Sequence, residues 1–313
     1  MMKRLMPFPG KTPYPREIRL WSPEGSPRAV VLISHGMAEQ IDRYDRLAQR
    51  LNQEGILVAG YNHLGHGAEA PVLGWFAAQD GWGQAVQDLN AAMTWLANQA
   101  PGLPRVLLGH SMGSFLAREY ALRYPSGLDA LVLCGTSWFS KALARPALLV
   151  ARLQKALGKG RQPSKLLDKL AFSTHNKPFE KDGNTAFDWL SRDEAEVRKY
   201  VADPYCGFVF TTGGFYDLFS GLYALTDLSR LKAIPASLPI YIISGDRDPV
   251  GKMGLGVKAV HRQYQDAGVT DVHMKLYPGA RHELFNESNK EEVMDELTAW
   301  LMGRVSSREG SPS

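Results

Sequence analysis

Residues 105–124 read RVLLGHSMGSFLAREYALRY, and within them Gly109-His110-Ser111-Met112-Gly113 sets a serine between two glycines where an apolar run passes into a helix-like stretch. A serine hydroxyl is a weak nucleophile at neutral pH. It needs a base within hydrogen-bond reach, and that base needs a third group to orient it. A sharp strand-to-helix turn would project the hydroxyl outward while leaving no room for Cβ atoms at Gly109 and Gly113. In such a layout the acid and the histidine follow in that order along the chain. SGDRDPVG (244–251) and PGARHELFNE (278–287) supply candidates for both, each just past an apolar run.

His282 is the preferred base because it lies in a Gly-containing loop after the last strand-like run and before a final helix-like stretch. His261 falls on a helical pattern and His273 inside a strand pattern. His175 lies in a region of different character, and these three read as structural or surface groups, while His110, next to the serine, points elsewhere in such a turn. Asp248 is preferred over Asp246 as the acid, since Pro249 restricts Asp248 to extended geometry and so fixes its carboxylate. Asp246 reads as a brace for the loop, and Asp271 precedes a strand at the wrong sheet edge. The oxyanion of an acyl-transfer intermediate needs N–H donors. One is the amide of Met112, and LISHGMAEQ (32–40) offers a second at Met37, presented by the His35-Gly36 turn. His35 then supports the loop and takes no direct part in the chemistry. His63 and His66 in NHLGHG lack the further ligands of a metal set. Gly254-Leu255-Gly256 lacks the strand and third glycine of a dinucleotide loop. No metal and no cofactor is expected.

The elements around these residues predict an α/β fold. Strand-like runs at 29–34, 56–61, 105–109, 130–135, 238–244 and 272–278 are continuous and rich in Val, Ile and Leu, as buried parallel strands are. An edge strand is predicted at 16–21. Helical spacing recurs near 41–53, 81–99, 114–124, 253–267 and 289–303. The alternation predicts a mostly parallel central sheet flanked by helices. It breaks between Trp138 and Lys232, which predicts an inserted, mainly helical cap: core at 1–136 and 233–305, cap at 137–232, and a disordered tail at 306–313. Ligands bind at the carboxyl ends of such strands, where the cap would sit.

Bulk composition is that of a folded globular chain, with 44% hydrophobic and 22% charged residues in 313. The two cysteines, Cys134 and Cys206, are too few for a disulfide framework and point to a reducing compartment. MMKRLMPFPGKTPYP lacks the continuous apolar run of a signal peptide, and no stretch reaches the length of a spanning helix. A cytoplasmic protein is expected, with peripheral attachment as its only membrane option. A net charge of +4 is too small to imply nucleic acid. The charge is uneven, however: eight basic residues against Asp168 leave +7 on residues 137–170 and about −3 on the rest.

HGMAE (35–39), NHLGHG (62–67), GHSMG (109–113), GDRDPVG (245–251) and GARHELFNE (279–287) together resemble the α/β-hydrolase superfamily. Within it the chain is similar to the monoacylglycerol lipase and lysophospholipase-like serine hydrolases, over about residues 28–303. The resemblance implies Ser111 as nucleophile, Asp248 as acid, His282 as base and the Met37 and Met112 amides as oxyanion donors. It also implies cofactor-free hydrolysis of monoacyl lipid esters. DPYCGF (203–208) looks like a segment of the bacterial lysophospholipase-like members.

The aromatic residues of the cap region, among them Trp138, Phe139, Phe172, Trp189, Phe219 and Tyr223, exceed what a connector needs, and some would line an apolar tunnel for an acyl chain. KALARPALLVARLQKALGK (141–159) interleaves Leu, Val and Ala with Lys and Arg, as either an interfacial helix or a solvated basic face would. The expected partner is a monoacyl ester or lysolipid, with peripheral membrane contact through the basic segment 141–169. A short-chain carboxylesterase, an amidase or peptidase with the same triad, and a non-catalytic ligand sensor on the same fold remain alternatives.

Overall fold

The computed structural model describes residues 2–11, 13–179 and 185–309. Strands β1 (Met2–Pro7), β2 (Glu17–Ser22), β3 (Ala29–Ser34), β4 (Ile56–Tyr61), β5 (Arg105–His110), β6 (Ala130–Cys134), β7 (Ile240–Gly245) and β8 (Val272–Tyr277) form one sheet in the order β1-β2-β4-β3-β5-β6-β7-β8. The first two are antiparallel, and from β4 to β8 every pairing is parallel. The central strands are apolar throughout because both faces are covered. On one face Val30, Leu32, Leu107, Leu131 and Ile242 pack against α2 (Gly81–Gln99), α3 (Met112–Arg123) and α8 (Leu255–Asp266). On the other, Val31, Ile33, Leu108, Val132 and Ile243 pack against α1 (Asp45–Gln53) and α9 (Lys290–Glu309).

The predicted runs fall on strands, with one correction at the edge. The 16–21 segment is the second strand, and β1 is the edge. The β1 sequence, MKRLMP, has no apolar alternation and is almost wholly exposed, so nothing in its pattern marked it. It is held instead by the β2 ladder and by Lys3 Nζ, 2.6 Å from Asp42 and 2.8 Å from Asp45.

Between β6 and β7 the chain adds α4 (Lys141–Gln154), α5 (Lys165–Phe172), α6 (Glu194–Ala202) and α7 (Thr212–Ala224). Pro146 lies inside α4. At the other end of the chain, α9 runs to Glu309; of the tail expected at 306–313, residues 310–313 lie outside the described residues.

α7 meets the core through Asp217, whose Oδ1 accepts from the Gly81 N–H at the start of α2. Burial pushes its carboxyl up to about 7. Its native state therefore holds a proton that the unfolded chain, with an ordinary pKa of 3.8, has already lost over that interval, so Asp217 stabilises less as pH rises from about 4 to about 7. Asp217→Asn removes this dependence. Thermal melts at pH 4.5 and pH 7.5 are expected to show the variant's Tm, relative to wild type, increasing with pH. An unchanged difference would contradict the burial argument.

Candidate active site

The serine turn is built by close backbone approach. β5 ends at His110, α3 starts at Met112, and Ser111 between them takes φ +51° and ψ −120°, a conformation that L residues seldom adopt. A Cβ on Gly109 would lie 2.4 Å from the Gly113 carbonyl oxygen, and one on Gly113 would lie 2.0 Å from the Ser34 oxygen. The two glycines thus let α3 press onto the ends of β3 and β5. Ser111 N–H donates to Cys134 O (2.9 Å), tying the turn to the end of β6. One residue further, a Cβ on Gly135 would stand 3.0 Å from His282 Cε1.

His282 and Asp248 come from the loops after β8 and β7. Both are buried, with His282 Nδ1 3.0 Å from Asp248 Oδ2. Asp248 is further fixed by Ser244 Oγ, which donates to Oδ2 (3.1 Å), and by the Val250 N–H, which donates to Oδ1 (2.8 Å). Burial alone would raise this carboxyl, but the facing imidazole, with the Gly251 N–H and Ser244 Oγ, outweighs it and holds it below its ordinary value. The same balance acts on His282. Burial favours the neutral ring, Asp248 and then Glu283 and Glu39 favour the cation, and the result lies above the ordinary 6.5. Asp246 does a different job: its Oδ1 accepts from the Gly279 N–H (2.7 Å), bracing the loop that leads to His282.

The β3–α1 loop faces the serine, since a Cβ on Gly36 would lie 3.2 Å from Ser111 Cβ. Met37, the next residue, carries one expected oxyanion amide, and Met112, first in α3, carries the other. The His35 ring bonds this loop to the segment after β4. Its Nε2 accepts from the His63 N–H (3.0 Å), so its Nδ1–H donates to Gly36 O (2.8 Å). Burial pushes His35 down to about 3 and holds His63 and His66 well below their ordinary value. The three rings pack together with centroids 4.4 to 6.2 Å apart. His66 Nε2 accepts from Ala38 N–H (3.2 Å), and His63 Nε2 meets Ser34 Oγ (3.0 Å). Five of the six ring nitrogens of these neutral imidazoles are hydrogen-bonded within the β3–α1 and 62–67 segments, and His63 Nδ1 is buried without a partner among the described residues.

Three charged residues at the site carried no signal in the sequence. Glu39 Oε1 accepts from Gly36 N–H and from Tyr44 Oη (2.9 Å), while its Oε2 accepts from Arg43 Nη1 (2.9 Å). Arg43 also makes a two-pronged pair with Glu283 (2.6 and 2.5 Å). Glu39 was in view as the last residue of HGMAE and Glu283 as the neighbour of His282, but nothing in the spacing joined positions 240 residues apart. His110 proves to pack beside His282, with ring centroids 4.8 Å apart; burial pushes it down to about 4. His175, read as a surface or structural group, packs on Trp189, which in turn lies 5.1 Å from the His282 ring. His261 Nε2 caps Val272 O, and His273 pairs with Asp271, both on the far side of the fold's chemistry.

A mostly parallel sheet with a serine at the β5–α3 turn, an aspartate after β7 and a histidine after β8 defines an α/β-hydrolase. Within that class the chain belongs to the serine aminopeptidase S33 family, whose model matches residues 25–289. It is 32% identical to a monoacylglycerol lipase of Mycolicibacterium smegmatis, over 91% of this chain and 92% of that one. It is 28% identical to the human monoglyceride lipase, over 92% and 86%. Its fold is similar to that of a thermostable carboxyl esterase from Bacillus coagulans solved in complex with glycerol, with TM-score 0.89 and 30% identity, covering 97% of this chain and 99% of that one. The protein is an ester hydrolase of this family.

Two substitutions separate the roles assigned to the loop aspartates. Asp248→Asn is expected to lower kcat by about 10,000-fold by fixing the wrong tautomer of His282, whereas Asp246→Asn retains activity within about tenfold, its Oδ1 still able to accept from Gly279. Steady-state ester hydrolysis checks both, and equal losses would remove the distinction.

Proposed function

We propose that the protein hydrolyses monoacylglycerols and related monoacyl lipid esters through a Ser111–His282–Asp248 triad. The observation that carries this reading is the buried 3.0 Å pair of His282 and Asp248 at the strand edge where Ser111 turns out of the sheet. In this mechanism neutral His282 Nε2 takes the Ser111 proton as Oγ attacks the ester carbonyl. The oxyanion is met by the Met37 and Met112 amides, and collapse expels the glycerol alkoxide, protonated by His282. Water, deprotonated by the same ring, then attacks the acyl-serine and releases the fatty acid. Charge on the imidazolium is stabilised throughout by Asp248, which stays ionised. The monoacylglycerol lipases among the relatives support the substrate class. The carboxyl esterase of similar fold supports a second reading, a general esterase of shorter acyl chains.

We further assign residues 137–232 to a cap over the site, and its two halves differ. The stretch 188–207 is stitched to the core: Tyr200 Oη and Gly207 N–H both donate to Ala38 O (2.9 Å), and Glu283 N–H donates to Leu190 O (2.7 Å). The α4–α5 stretch buries Ala144, Ala151 and Leu167 but exposes Leu149, Leu153, Leu157, Leu166 and Leu170, each by more than half. Arg145, Arg152, Lys159, Arg161, Lys165 and Lys169 are exposed around them. Among the described residues no helix is long and apolar enough to cross a membrane. Apolar side chains ringed by cations fit the surface of an anionic bilayer: a leucine leaving water gains about 1.5–3 kcal/mol, and each cation near the lipid about 1 kcal/mol. We therefore assign this face to peripheral contact with the inner leaflet. The buried thiols Cys134 and Cys206 agree with a reducing, cytoplasmic setting.

Turnover of p-nitrophenyl esters from acetate to laurate, beside 1-monooleoylglycerol and an aminoacyl anilide, tests the substrate class. The expected order favours medium or long chains and the glyceride; preference for acetate with no glyceride hydrolysis selects the short-chain reading, and anilide cleavage a peptidase. kcat/KM should fall as pH drops through the His282 pKa, placing half-maximal activity above pH 6.5; an acid limb below pH 6 would contradict the charge balance. Co-sedimentation with phosphatidylglycerol-containing vesicles should drop at least about tenfold for Leu149→Ser/Leu153→Ser/Leu157→Ser, with hydrolysis of a soluble ester unchanged. Undiminished sedimentation would remove the membrane assignment.

A further inference from the structure

We infer that Arg43 is a positioning residue: its guanidinium, clamped between Glu39 and Glu283, locks the loop carrying the Met37 amide to the loop carrying His282. The inference rests on the triad reading above and names a part that no spacing in the chain revealed. Each carboxylate ties the guanidinium to a different part of the site. Glu39 holds the Gly36 N–H, one residue before Met37. Glu283 follows His282 directly, and Asn286 Nδ2 donates to its Oε2 (3.1 Å). Arg43 itself lies on the short helical turn at Ile41–Tyr44, under the Tyr200 ring at 4.9 Å, where Tyr200 also donates to Ala38 O. One guanidinium therefore connects the oxyanion loop, the histidine loop and the docked half of the cap.

The chemistry of the clamp suits this task. Glu39 and Glu283 are almost wholly buried. Two such carboxylates repel, and a cation between them offsets that repulsion. A guanidinium offers fixed donors in a plane and can engage two carboxylates at once, which an ammonium cannot match. The cluster keeps one net negative charge close to the base. Around His282 the charged and titratable groups are Asp248 from the β7–α8 loop, Glu283 on its own loop, Glu39 and Arg43 from the β3–α1 loop, and His110 at the end of β5. His175 from the insertion also faces His282, with Cys134 of β6 beside Asp248. His110 Nδ1, buried without a protein partner, lines a small pocket together with Glu39, Tyr44 and Glu283. The clamp thus serves two ends, geometry at the oxyanion amide and negative potential at the imidazole.

The experiment compares wild type with Arg43→Lys and Glu283→Gln, with Ser111→Ala as control, on p-nitrophenyl octanoate across pH 5–9, alongside circular dichroism and thermal melts. Arg43→Lys, which keeps the charge and loses the fork, is expected to lower kcat by about 10- to 100-fold with KM within about twofold, as a small misplacement of reacting groups does. Glu283→Gln, which removes one negative charge, is expected to move the acid limb of kcat/KM to lower pH by about half a unit. A merely structural role would lower Tm and leave the limb where it was. A folded Arg43→Lys with wild-type kcat, or a folded Glu283→Gln with an unmoved limb, overturns the proposal. If one variant fails to fold, the other decides alone. Ser111→Ala retaining turnover would sink the triad reading itself, which sets that failure apart from this one.

Discussion

A histidine sealed from water tends to stay neutral, and a neutral histidine that cannot stabilise its own protonation is a poor base. The site is organised around that constraint. His282 is only 2% exposed, so desolvation works against the imidazolium that the proposed acyl transfer requires. The opposing charge has to be near, fixed and itself kept ionised inside the protein. Asp248 meets the first two conditions through the 3.0 Å contact with Nδ1, and the donors Ser244 Oγ and Val250 N–H meet the third. Glu283 and Glu39 also favour the imidazolium, and both are ion-paired with Arg43.

The fold follows from delivering these groups to one edge. Parallel strands β3, β5, β6, β7 and β8 end on the same side of the sheet, so their loops converge there. The two layers of helices bury both faces and make the sheet a rigid support. Rigidity is concentrated where glycines allow backbone to touch backbone: Gly109 against Gly113, Gly113 against Ser34, and Gly245 against Ala280, whose oxygen would lie 2.0 Å from an added Cβ. The last of these joins the acid loop to the histidine loop. The insertion between β6 and β7 then divides labour. Its second half seats on the β3–α1 loop and the loop that carries His282, while its first half turns leucines and cations outward.

Much of this was legible in the chain because the relevant signals are local. The buried strands announce themselves as continuous aliphatic runs, and the serine turn and the Asp248-Pro249 step are fixed by residues adjacent in sequence. The choice of Asp248 over Asp246 came from one proline, and the structure gives Asp246 the bracing contact to Gly279. What was not legible is what depends on distance along the chain. β1 has no apolar alternation and is recruited by pairing with β2. The Arg43–Glu283 pair spans 240 residues, and each partner alone looks like an ordinary surface charge. For His63 and His66 residue type alone allowed a metal reading beside a structural one, and the burial and hydrogen bonds of these rings are visible only in three dimensions.

The central claim is that Ser111 carries the acyl group between the two half-reactions. Rapid-quench mass spectrometry of the protein during turnover of a p-nitrophenyl ester, followed by peptide mapping, measures this directly. The account predicts a transient mass increase equal to the acyl group, located on the peptide containing Ser111 and decaying as fatty acid appears. Turnover with no adduct on Ser111, or with the acyl group on another residue, would contradict it.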